Sequence, residues 1–419
     1  MKTSIFLTVA STTPLKKADL TFVKFNLQLR LKNCYNLDEG QIMAKSIKYY
    51  LKNLSWINSL FLLLTPPASI TLTVLWIYFD GFDWRLLLLG IFFYILSGIS
   101  ITAGYHRLFA HKAYDAHPIV KIFFLVFGAA AFQNSVLKWA SDHRIHHSEV
   151  DTESDPYNIN EGFFYAHMGW ILLKEGNHFN DKYVKDLSRD KWVLFQHNHY
   201  FKIAGFFGIL LPTLIGWLCF DTILGGLAIG ALLKIVILHH STFFINSLCH
   251  YIGTTPYTDS NTAKDSWFMA LLTFGEGYHN FHHYFQADFR NGIKWFHFDP
   301  TKWLIQFLAK IKLAYKLKKT PDFKIMSAKL NMKLLQIKKG AKDIDDMAIL
   351  EIEKMKEKAI ESLRHLEELN RKYQTAKDKL PSFSVLEIKE KMALAKVEIN
   401  YNLKKFEYLI QSYNSYRVA

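Results

Sequence analysis

Cysteine is scarce in this chain, and no motif for a cysteine-bound metal is present. The 419 residues include three cysteines, Cys34, Cys219 and Cys249, and no Cys-x-x-Cys pair. This excludes a disulfide framework and a structural zinc site built from cysteines. The zinc-protease motif His-Glu-x-x-His is also missing. So few cysteines are typical of a protein in a reducing compartment such as the cytosol.

Acidic residues are fewer than basic ones, 37 against 51, and the formal net charge is +14. A basic balance is typical of proteins that bind nucleic acid or an anionic membrane surface. The chain contains no nucleic-acid-binding motif, and its lysines flank apolar segments, as at Lys45, Lys48 and Lys52. We therefore expect contact with membrane lipid and none with nucleic acid.

Long apolar runs, in contrast, are abundant. Hydrophobic residues make up 50% of the chain and are concentrated in blocks. A helix needs roughly 20 apolar residues to cross a bilayer. Four blocks reach or approach this length, at about Ser59–Phe79, Leu86–Gly104, Ile203–Phe220 and Thr222–Leu238. A fifth run, Ile119–Leu137, contains polar residues and predicts a buried or membrane-surface helix.

The short connections between these blocks predict two transmembrane hairpins. Asp80–Arg85 separates the first two blocks, and Asp221 separates the last two. Each pair therefore leaves one side of the membrane and returns to it. The segments outside the hairpins then share one aqueous face with the lysine-rich flanks, which the positive-inside tendency makes cytoplasmic.

Nine of the 18 histidines lie in these segments as three clusters and one outlier. The clusters are His106-Arg-Leu-Phe-Ala-His111, His143-Arg-Ile-His146-His147 and His279-Asn-Phe-His282-His283, and the outlier is His250. Spacings of three and four place imidazoles on one face of a helix. The spacing of five between His106 and His111 requires a helix end or local unwinding, for which Gly104 is well placed.

Nine imidazoles suit two metal ions with four or five ligands each, and iron is the metal we expect. Neutral ligands leave the charge of the ions uncompensated, so carboxylates should accept the far ring protons of the ligating histidines. Asp142, Asp155 and Glu276 are the nearest candidates in the sequence. His239 and His240 compete with His250 for the ninth position, but Asn246, one turn before His250, could hold a metal-bound water.

The motifs around the histidines resemble those of a known family. Gly104-Tyr-His106, Trp139-Ala-Ser-Asp142-His143 and Gly275-Glu-Gly-Tyr-His279-Asn are similar to the three histidine boxes of membrane acyl-CoA Δ9 desaturases, of the stearoyl-CoA desaturase type. The likeness covers roughly Ser55 to Leu308. It implies an iron-dependent oxidoreductase of lipid metabolism with nine histidine ligands, including His250, and a water held by Asn246.

The resemblance also implies the reaction and its partners. Members of the family insert a cis double bond into a saturated fatty acyl chain, and they consume dioxygen and two electrons from a carrier protein. No His-Pro-Gly-Gly haem-binding box is present, so the implied donor is a separate ferredoxin or small haem cytochrome with an NAD(P)H-dependent reductase. Ser141 stands where animal members often have an arginine near the thioester, so the substrate stays open between acyl-CoA and an acyl-lipid.

An oxidant that attacks an unactivated carbon must be shielded from water, so we expect a closed apolar tunnel for the acyl chain. The resemblance implies that the second span lines the far end of this tunnel. There Tyr94 and Gly98 are four residues apart and share a helical face. We expect Gly98 to leave room for the methyl end of the chain and Tyr94 to help cap it. Gln133 and Trp139 are expected to form walls near the entry.

These observations predict an all-α integral membrane fold in three parts. Residues 1–54 form a basic leader, disordered or interfacial, and residues 55–320 form the desaturase domain. In that domain four transmembrane helices, arranged as two hairpins, carry a cytosolic helical cap that holds a di-iron site. From residue 326 to residue 419, apolar residues recur every three or four positions among many charges, with a break at Pro381. This pattern indicates a helical hairpin or coiled coil, a kind of tail that can self-associate.

Two other functions fit parts of the sequence. A membrane di-iron hydroxylase acting on lipids or alkanes would use similar histidine boxes, because hydroxylation and desaturation both begin with removal of hydrogen from an unactivated carbon. A non-enzymatic membrane scaffold would act through its coiled-coil tail and would have no need of the nine histidines. The contexts Asp-His-Arg and Gly-Glu-Gly-Tyr-His-Asn favour the desaturase.

Overall fold

The structure, a computed structural model, describes residues 52–174, 179–340, 346–377 and 382–418. The described residues from Leu54 onward belong to one compact unit. The predicted leader lies outside the described residues except for its last three. In chain order, the helices are α1 (Trp56–Asp80), α2 (Trp84–Ala110), α3 (Pro118–Ala129), α4 (Val136–Glu149), α5 (Lys191–Asn198), α6 (Tyr200–Phe220), α7 (Ile223–Tyr251), α8 (Trp267–Leu272), α9 (His279–Tyr284), α10 (Pro300–Lys310), α11 (Asp322–Gly340), α12 (Asp346–Ala376) and α13 (Ser382–Val418).

Short elements complete the regular structure of the described residues. Single turns of helix form at Ile159–Glu161, Tyr165–Gly169, Trp170–Leu172, Asp181–Tyr183 and Leu187–Arg189. Two strands, β1 (Asp115–Ala116) and β2 (Ala314–Tyr315), pair antiparallel with Asp115 opposite Tyr315. The described part is therefore mostly helical, as the sequence predicts.

Four helices, α1, α2, α6 and α7, are long and apolar enough to cross a membrane, and they coincide with the four predicted blocks. Helix α2 continues beyond Gly104 to Ala110, and α7 continues beyond Leu238 to Tyr251. The predicted ends were too early because the last turns of both helices are polar, although the backbone remains helical there. Those polar turns carry His106 and His250, so two of the spans lead directly into the histidine clusters.

The two predicted connections are short in the structure. Asp83 caps α2, its carboxylate accepting a hydrogen bond of 2.8 Å from the backbone N–H of Arg85. Between α6 and α7, Asp221 adopts a left-handed conformation (φ 55°). The hydroxyl of Thr222, at the start of α7, donates a hydrogen bond to Asp80 at the end of α1. This bond holds the two connections together at one end of the spans.

The fifth apolar run does not form one helix, which corrects the prediction. Helix α3 ends at Ala129, and Phe132 and Asn134 then adopt left-handed conformations before Ser135 caps α4. Side chains from α7 hold this break, because Lys234 Nζ donates 2.9 Å to Ala130 O and His239 Nε2 lies 2.9 Å from Ala131 O. These tertiary contacts satisfy carbonyl groups that a continuous helix would have paired.

The three tail helices pack together and onto the rest of the unit. Their shared core consists of Leu330, Leu334, Ile352, Met355, Ala359, Ile360 and Phe406. Helices α12 and α13 run antiparallel, with Asn402 Nδ2 donating 3.0 Å to Ser362 Oγ. Another side of α11 places Ile325 and Ala328 against Tyr257 and Phe281. Phe281 belongs to α9, so the first tail helix lies against the third histidine box.

Candidate metal centre

The first histidine pair is brought together by an unusual stretch of helix. From Ser100 to Ala110 the last part of α2 is a π-helix, and all eleven of its residues are buried. The backbone N–H of His111 donates 3.0 Å to the carbonyl of His106, five residues earlier as this geometry requires. The spacing of five thus suits a widened helix, where the sequence had indicated a helix end or unwinding.

The structure brings all nine predicted histidines into two adjacent groups. In each group the nitrogen atoms lie within 4.8 Å of one another. The first group consists of His106, His111, His143, His147 and His282. The second group consists of His146, His250, His279 and His283. The competing His239 and His240 are in neither group, and His240 Nδ1 instead lies 3.0 Å from His167 Nε2.

Helices α4 and α9 each contribute to both groups. On α4, His143 and His147 enter the first group and His146 the second. On α9, His282 enters the first group, and His279 and His283 enter the second. The groups touch where the rings of His147 and His283 stack, with centroids 4.3 Å apart. The two sites therefore share their supporting helices.

Within each group, the Nε2 atoms of the rings lie close together and could bind one cation between them. His111 Nε2 lies 2.7 Å from His143 Nε2, and His106 Nε2 lies 3.0 Å from His282 Nε2. In the second group, His279 Nε2 lies 3.1 Å from both His250 Nε2 and His283 Nε2. Several lone pairs converging on one small space are the arrangement that metal binding requires.

Burial favours the neutral form of most of these imidazoles. Burial first, and the neighbouring histidines second, hold the pKa of His111, His143 and His147 well below the usual value. The same causes, in the same order, lower the pKa of His279, His282 and His283. Neutral imidazole is the form that binds iron, copper, nickel or zinc. The donor set therefore fits two ions bound mainly by histidine.

Glu276 orients a ring of the first group. Its Oε2 lies 2.9 Å from His106 Nδ1, and its Oε1 accepts 2.9 Å from Arg107 Nη2. Burial by itself would raise the pKa of Glu276, but His106 and Arg107 outweigh burial and lower the pKa to about 2. The carboxylate is thus ionised, and it can hold the Nδ1 proton of His106 so that Nε2 faces the group.

Asp155 has the same relation to the second group. Its two carboxylate oxygens lie 2.9 and 3.0 Å from His146 Nδ1. The backbone N–H groups of Asp151 and Tyr157 donate 3.0 and 3.1 Å to the same carboxylate. Asp155 is therefore fixed by the loop after α4, and it fixes the ring of His146 in turn.

Asp142 was predicted to accept a ring proton from a ligating histidine, but in the structure it pairs with a lysine. Its carboxylate accepts 2.6 Å from Lys138 Nζ, one turn earlier on α4, and forms no hydrogen bond to a histidine ring among the described residues. Burial raises the pKa of Asp142 to about 6, with Lys138 acting against it. The position before His143 points Asp142 about 100° away around the helix, so closeness in sequence did not indicate contact. The hydroxyl of Tyr157 lies 3.4 Å from His143 Nδ1 instead.

Several residues that support the site were not singled out from the sequence. His250 Nδ1 lies 2.8 Å from Thr262 Oγ1, and that hydroxyl donates 2.7 Å to Asp151 Oδ1. Thr262 therefore links His250 to a carboxylate across 111 residues of chain. Asp151 follows the second box closely and could have been considered, but no pattern in the sequence points to Thr262.

Arg107 is the other missed residue. Its guanidinium, 1% exposed, donates 2.8 Å to Phe289 O and 3.1 Å to Asp299 Oδ2 in addition to Glu276. Asp299 caps α10, accepting 2.8 Å from the backbone N–H of Lys302. The guanidinium therefore joins α2, the third box and α10. The available signal was its position directly after a predicted ligand histidine. An arginine that is buried at such a position needs carboxylate partners, and these could have been sought.

A largely apolar cavity leads to the histidines. Gly98, Gln133 and Trp139, which the sequence suggested as substrate-binding positions, line it together with Asn246, His146 and His279. Gln133 Nε2 donates 2.8 Å to Thr242 Oγ1, and Trp139 stacks on His143 at 4.9 Å. Tyr94 is not among the lining residues. Its hydroxyl lies 3.0 Å from Ser241 Oγ, which is one of them, so Tyr94 stands one layer behind the wall.

Comparisons with known proteins agree on one family. The model of the fatty acid desaturase family matches residues 82–318. The chain is 43% identical over 257 residues to acyl-CoA desaturase 1 of Saccharomyces cerevisiae, which is 60% of this chain and 50% of that protein. It is 38% identical over 289 residues to a probable acyl-CoA desaturase of Schizosaccharomyces pombe, 69% of this chain and 60% of that protein.

An animal relative is covered more fully. The chain is 35% identical over 285 residues to the Delta(9)-fatty-acid desaturase fat-7 of Caenorhabditis elegans, 67% of this chain and 83% of that protein. Against the two yeast proteins, the matched region spans only half to three fifths of their length. All nine clustered histidines lie within residues 82–318, the part matched by the family.

Proposed function

Because the chain belongs to the fatty acid desaturase family, we propose that it is an oxygen-dependent acyl-CoA desaturase. The reaction is the insertion of a cis double bond, expected at Δ9, into a saturated acyl chain for unsaturated fatty acid biosynthesis. One observation carries this proposal: two buried histidine groups lie at a largely apolar cavity in a helical protein with four candidate membrane spans. A lipid chain and a redox-active metal site would meet there.

The nine histidines are proposed to hold two iron ions. The first group would supply five imidazoles and the second group four, with a water on Asn246 completing the second site. Iron bound in this way supplies the redox chemistry that activates dioxygen. Glu276 and Asp155 support this assignment, because each contacts the Nδ1 atom of a histidine whose Nε2 atom faces its group.

The cavity is proposed to hold the acyl chain near both groups. Gly98 and Phe274 line it, as do Gln133 and Thr242, which are hydrogen-bonded to each other. Tyr94 would close the far end from behind, through Ser241 and the ring of Phe274, which lies 5.2 Å away. These walls exclude water and hold the chain in one position, which limits side reactions of a strong oxidant.

Coenzyme A is proposed as the acyl carrier. An open pocket lies next to the cavity, shares Asn58 and Asn134 with it, and is lined by Lys174, Lys202 and Lys138, the last of which also pairs with Asp142. Basic side chains at this position suit the phosphates of coenzyme A. Gln133 Oε1 is buried without a hydrogen-bond partner in the described part of the chain, so it could accept from an amide N–H of the carrier. Ser141 does not face the pocket but bonds Asn180 O at 3.1 Å.

The side of the membrane, the electron donor and the division of the chain are also part of the proposal. The histidine groups are proposed to lie on the cytoplasmic face of the membrane, where a separate ferredoxin or small haem cytochrome with an NAD(P)H-dependent reductase would deliver electrons. Residues 55–320 would form the catalytic part, with two transmembrane hairpins and a helical cap, and residues 326–419 a helical tail. The lysines that flank the apolar segments support the cytoplasmic assignment.

Expression in a host without its own desaturase tests the activity. We expect a new monounsaturated fatty acid, detected by mass spectrometry of the methyl esters, and we expect it to disappear in the His146→Ala variant, which lacks one ligand of the second group. The bond position in the product would give the regioselectivity. A hydroxy fatty acid would instead assign the chain to the membrane di-iron hydroxylases. No product and no bound iron from intact protein would favour the scaffold.

Substitution of Gly98 tests the assignment of the cavity. A Cβ atom at this position would lie 2.4 Å from Phe274 Cε2, so a larger side chain must push that ring into a new position at the cavity wall. We expect Gly98→Leu to shift the products toward shorter acyl chains, measured by methyl ester analysis of cells fed acids of different length. The matched variant Gly90→Leu changes a glycine two turns earlier, which packs on Ile229 and not on the cavity. An unchanged distribution in Gly98→Leu would contradict the assignment.

A further inference from the structure

Helix α13 has apolar residues on two opposite faces. One face is buried against the other tail helices, through Ala395, Ile399, Asn402 and Phe406. The second face is solvent-exposed and bears five large apolar side chains, each 53–71% exposed. We call this second face the apolar stripe, and it consists of Leu386, Leu394, Val397, Tyr401 and Tyr408. Single exposed apolar residues are ordinary, but an ordered row of them on one helix is not.

The apolar stripe has the geometry of a helix-packing seam. At about 100° per residue, its five members fall within about 80° of the helix circumference, on the side away from the buried face. From Leu394 the spacing is three, four and seven, which is the repeat of a coiled-coil contact. The stripe extends for about 33 Å, at about 1.5 Å per residue. The described residues leave this face uncovered.

Charges on the same side of the helix select the partner and its direction. Glu387 and Glu390 lie near the N-terminal end of the apolar stripe, and Lys404 and Lys405 lie near its C-terminal end. An antiparallel copy of the helix would place each acidic pair opposite a basic pair, whereas a parallel copy would place like charges together. Glu387 also lies 2.7 Å from Lys391 on its own helix, but such exposed pairs exchange partners at little cost.

We propose that α13 pairs with α13 of a second copy of this chain, antiparallel, along the apolar stripe. Val397 and Leu394 lie near the twofold axis, so that they pack on the same two residues of the second copy. Leu386 at one end lies near Tyr408 of the second copy at the other end. The contact is isologous, because both copies use the same surface. It buries the exposed apolar side chains and pairs the two ends through opposite charges.

Cysteine cross-linking of the full-length protein tests this pairing. We expect Val397→Cys to form a covalent dimer under mild oxidation. Leu386→Cys alone and Tyr408→Cys alone should not form a dimer, because each cysteine would lie about 33 Å from the same position in the second copy. Differently tagged Leu386→Cys and Tyr408→Cys chains expressed together should cross-link to each other. The unaltered chain, which contains Cys34, Cys219 and Cys249, gives the background, and Glu361→Cys on the exposed side of α12 is the matched control.

Each alternative arrangement gives a different result. Self-cross-linking at all three stripe positions would show a parallel pair, and cross-linking only to a protein of another mass would show a different partner. Either result, or no cross-link above the background, would overturn the proposal. Charge reversal provides a second measurement: Lys404→Glu with Lys405→Glu should reduce the dimer fraction severalfold. Adding Glu387→Lys and Glu390→Lys should restore it, which a merely structural defect in the helix would not allow.

Discussion

Replacing Glu276 by glutamine is expected to lower the affinity of the first histidine group for its metal ion by roughly 10- to 100-fold. Glutamine keeps the size of the side chain but removes the charge that both His106 and Arg107 contact. Glutamine offers one acceptor oxygen where glutamate offers two, so its NH2 group would face either His106 or Arg107, both of which are donors, and the ring of His106 would no longer be held as firmly. Activity should fall with the metal content, because both follow from the orientation of the same ring.

The measurement is the number of iron ions per chain, by mass spectrometry of the purified protein, beside the yield of unsaturated product. Glu153→Gln is the matched control, because Glu153 is an exposed carboxylate on the loop before Asp155. We expect this control to retain both ions. Full iron content in Glu276→Gln would contradict the role given to the carboxylate. Loss of folded protein is distinguished by the helical signal in circular dichroism, which should stay close to that of the unaltered chain.

A substitution in α11, the first of the tail helices, is expected to weaken both the fold and metal binding. Ala328 on α11 is 3% exposed and lies in the cluster with Tyr257 and Phe281. Ala328→Glu would place an uncompensated charge in this contact, at a cost of roughly 3–5 kcal/mol. Because Phe281 stands between His279 and His282 on α9, we expect the third box to lose its position and both ions to bind more weakly.

Asn331→Glu provides the control, since it adds the same charge at an exposed position of the same helix. The free energy of unfolding and the iron content of both variants would be compared with those of the unaltered chain. Equal iron content in Ala328→Glu and Asn331→Glu would mean that the tail does not support the metal centre. The opposite result would make α11 part of the catalytic unit, although the family match ends at residue 318.

The sequence was sufficient to predict the membrane helices and the histidines, because both depend on local patterns. Apolar length identified the four spans, and helical spacing identified six of the nine histidines, whereas the five-residue spacing of His106 and His111 and the isolated His250 did not fit that spacing. The distribution of the histidines over two groups was not predictable, because it depends on how α4 and α9 face each other. His146 and His147 are neighbours in the chain, yet they belong to different groups.

The residues that hold the histidines were predicted less well, because their contacts cross long stretches of chain. Asp142 is the exception, because its bond to Lys138 lies within one turn of α4 and only the direction of its side chain was misjudged. Thr262 contacts His250 only because the loop after α7 returns to the site. The break after α3 likewise depends on Lys234 and His239, which lie on another helix. Local propensity cannot report such contacts.

The division of α4 and α9 between the two groups has a thermodynamic consequence. A rotation of either helix by a few degrees moves ligands of both groups at once, so filling one site restrains the geometry of the other. The two binding equilibria are therefore linked, and the coupling free energy is reciprocal. If both groups bind ions as proposed, the affinity of each site therefore depends on whether the other site is filled.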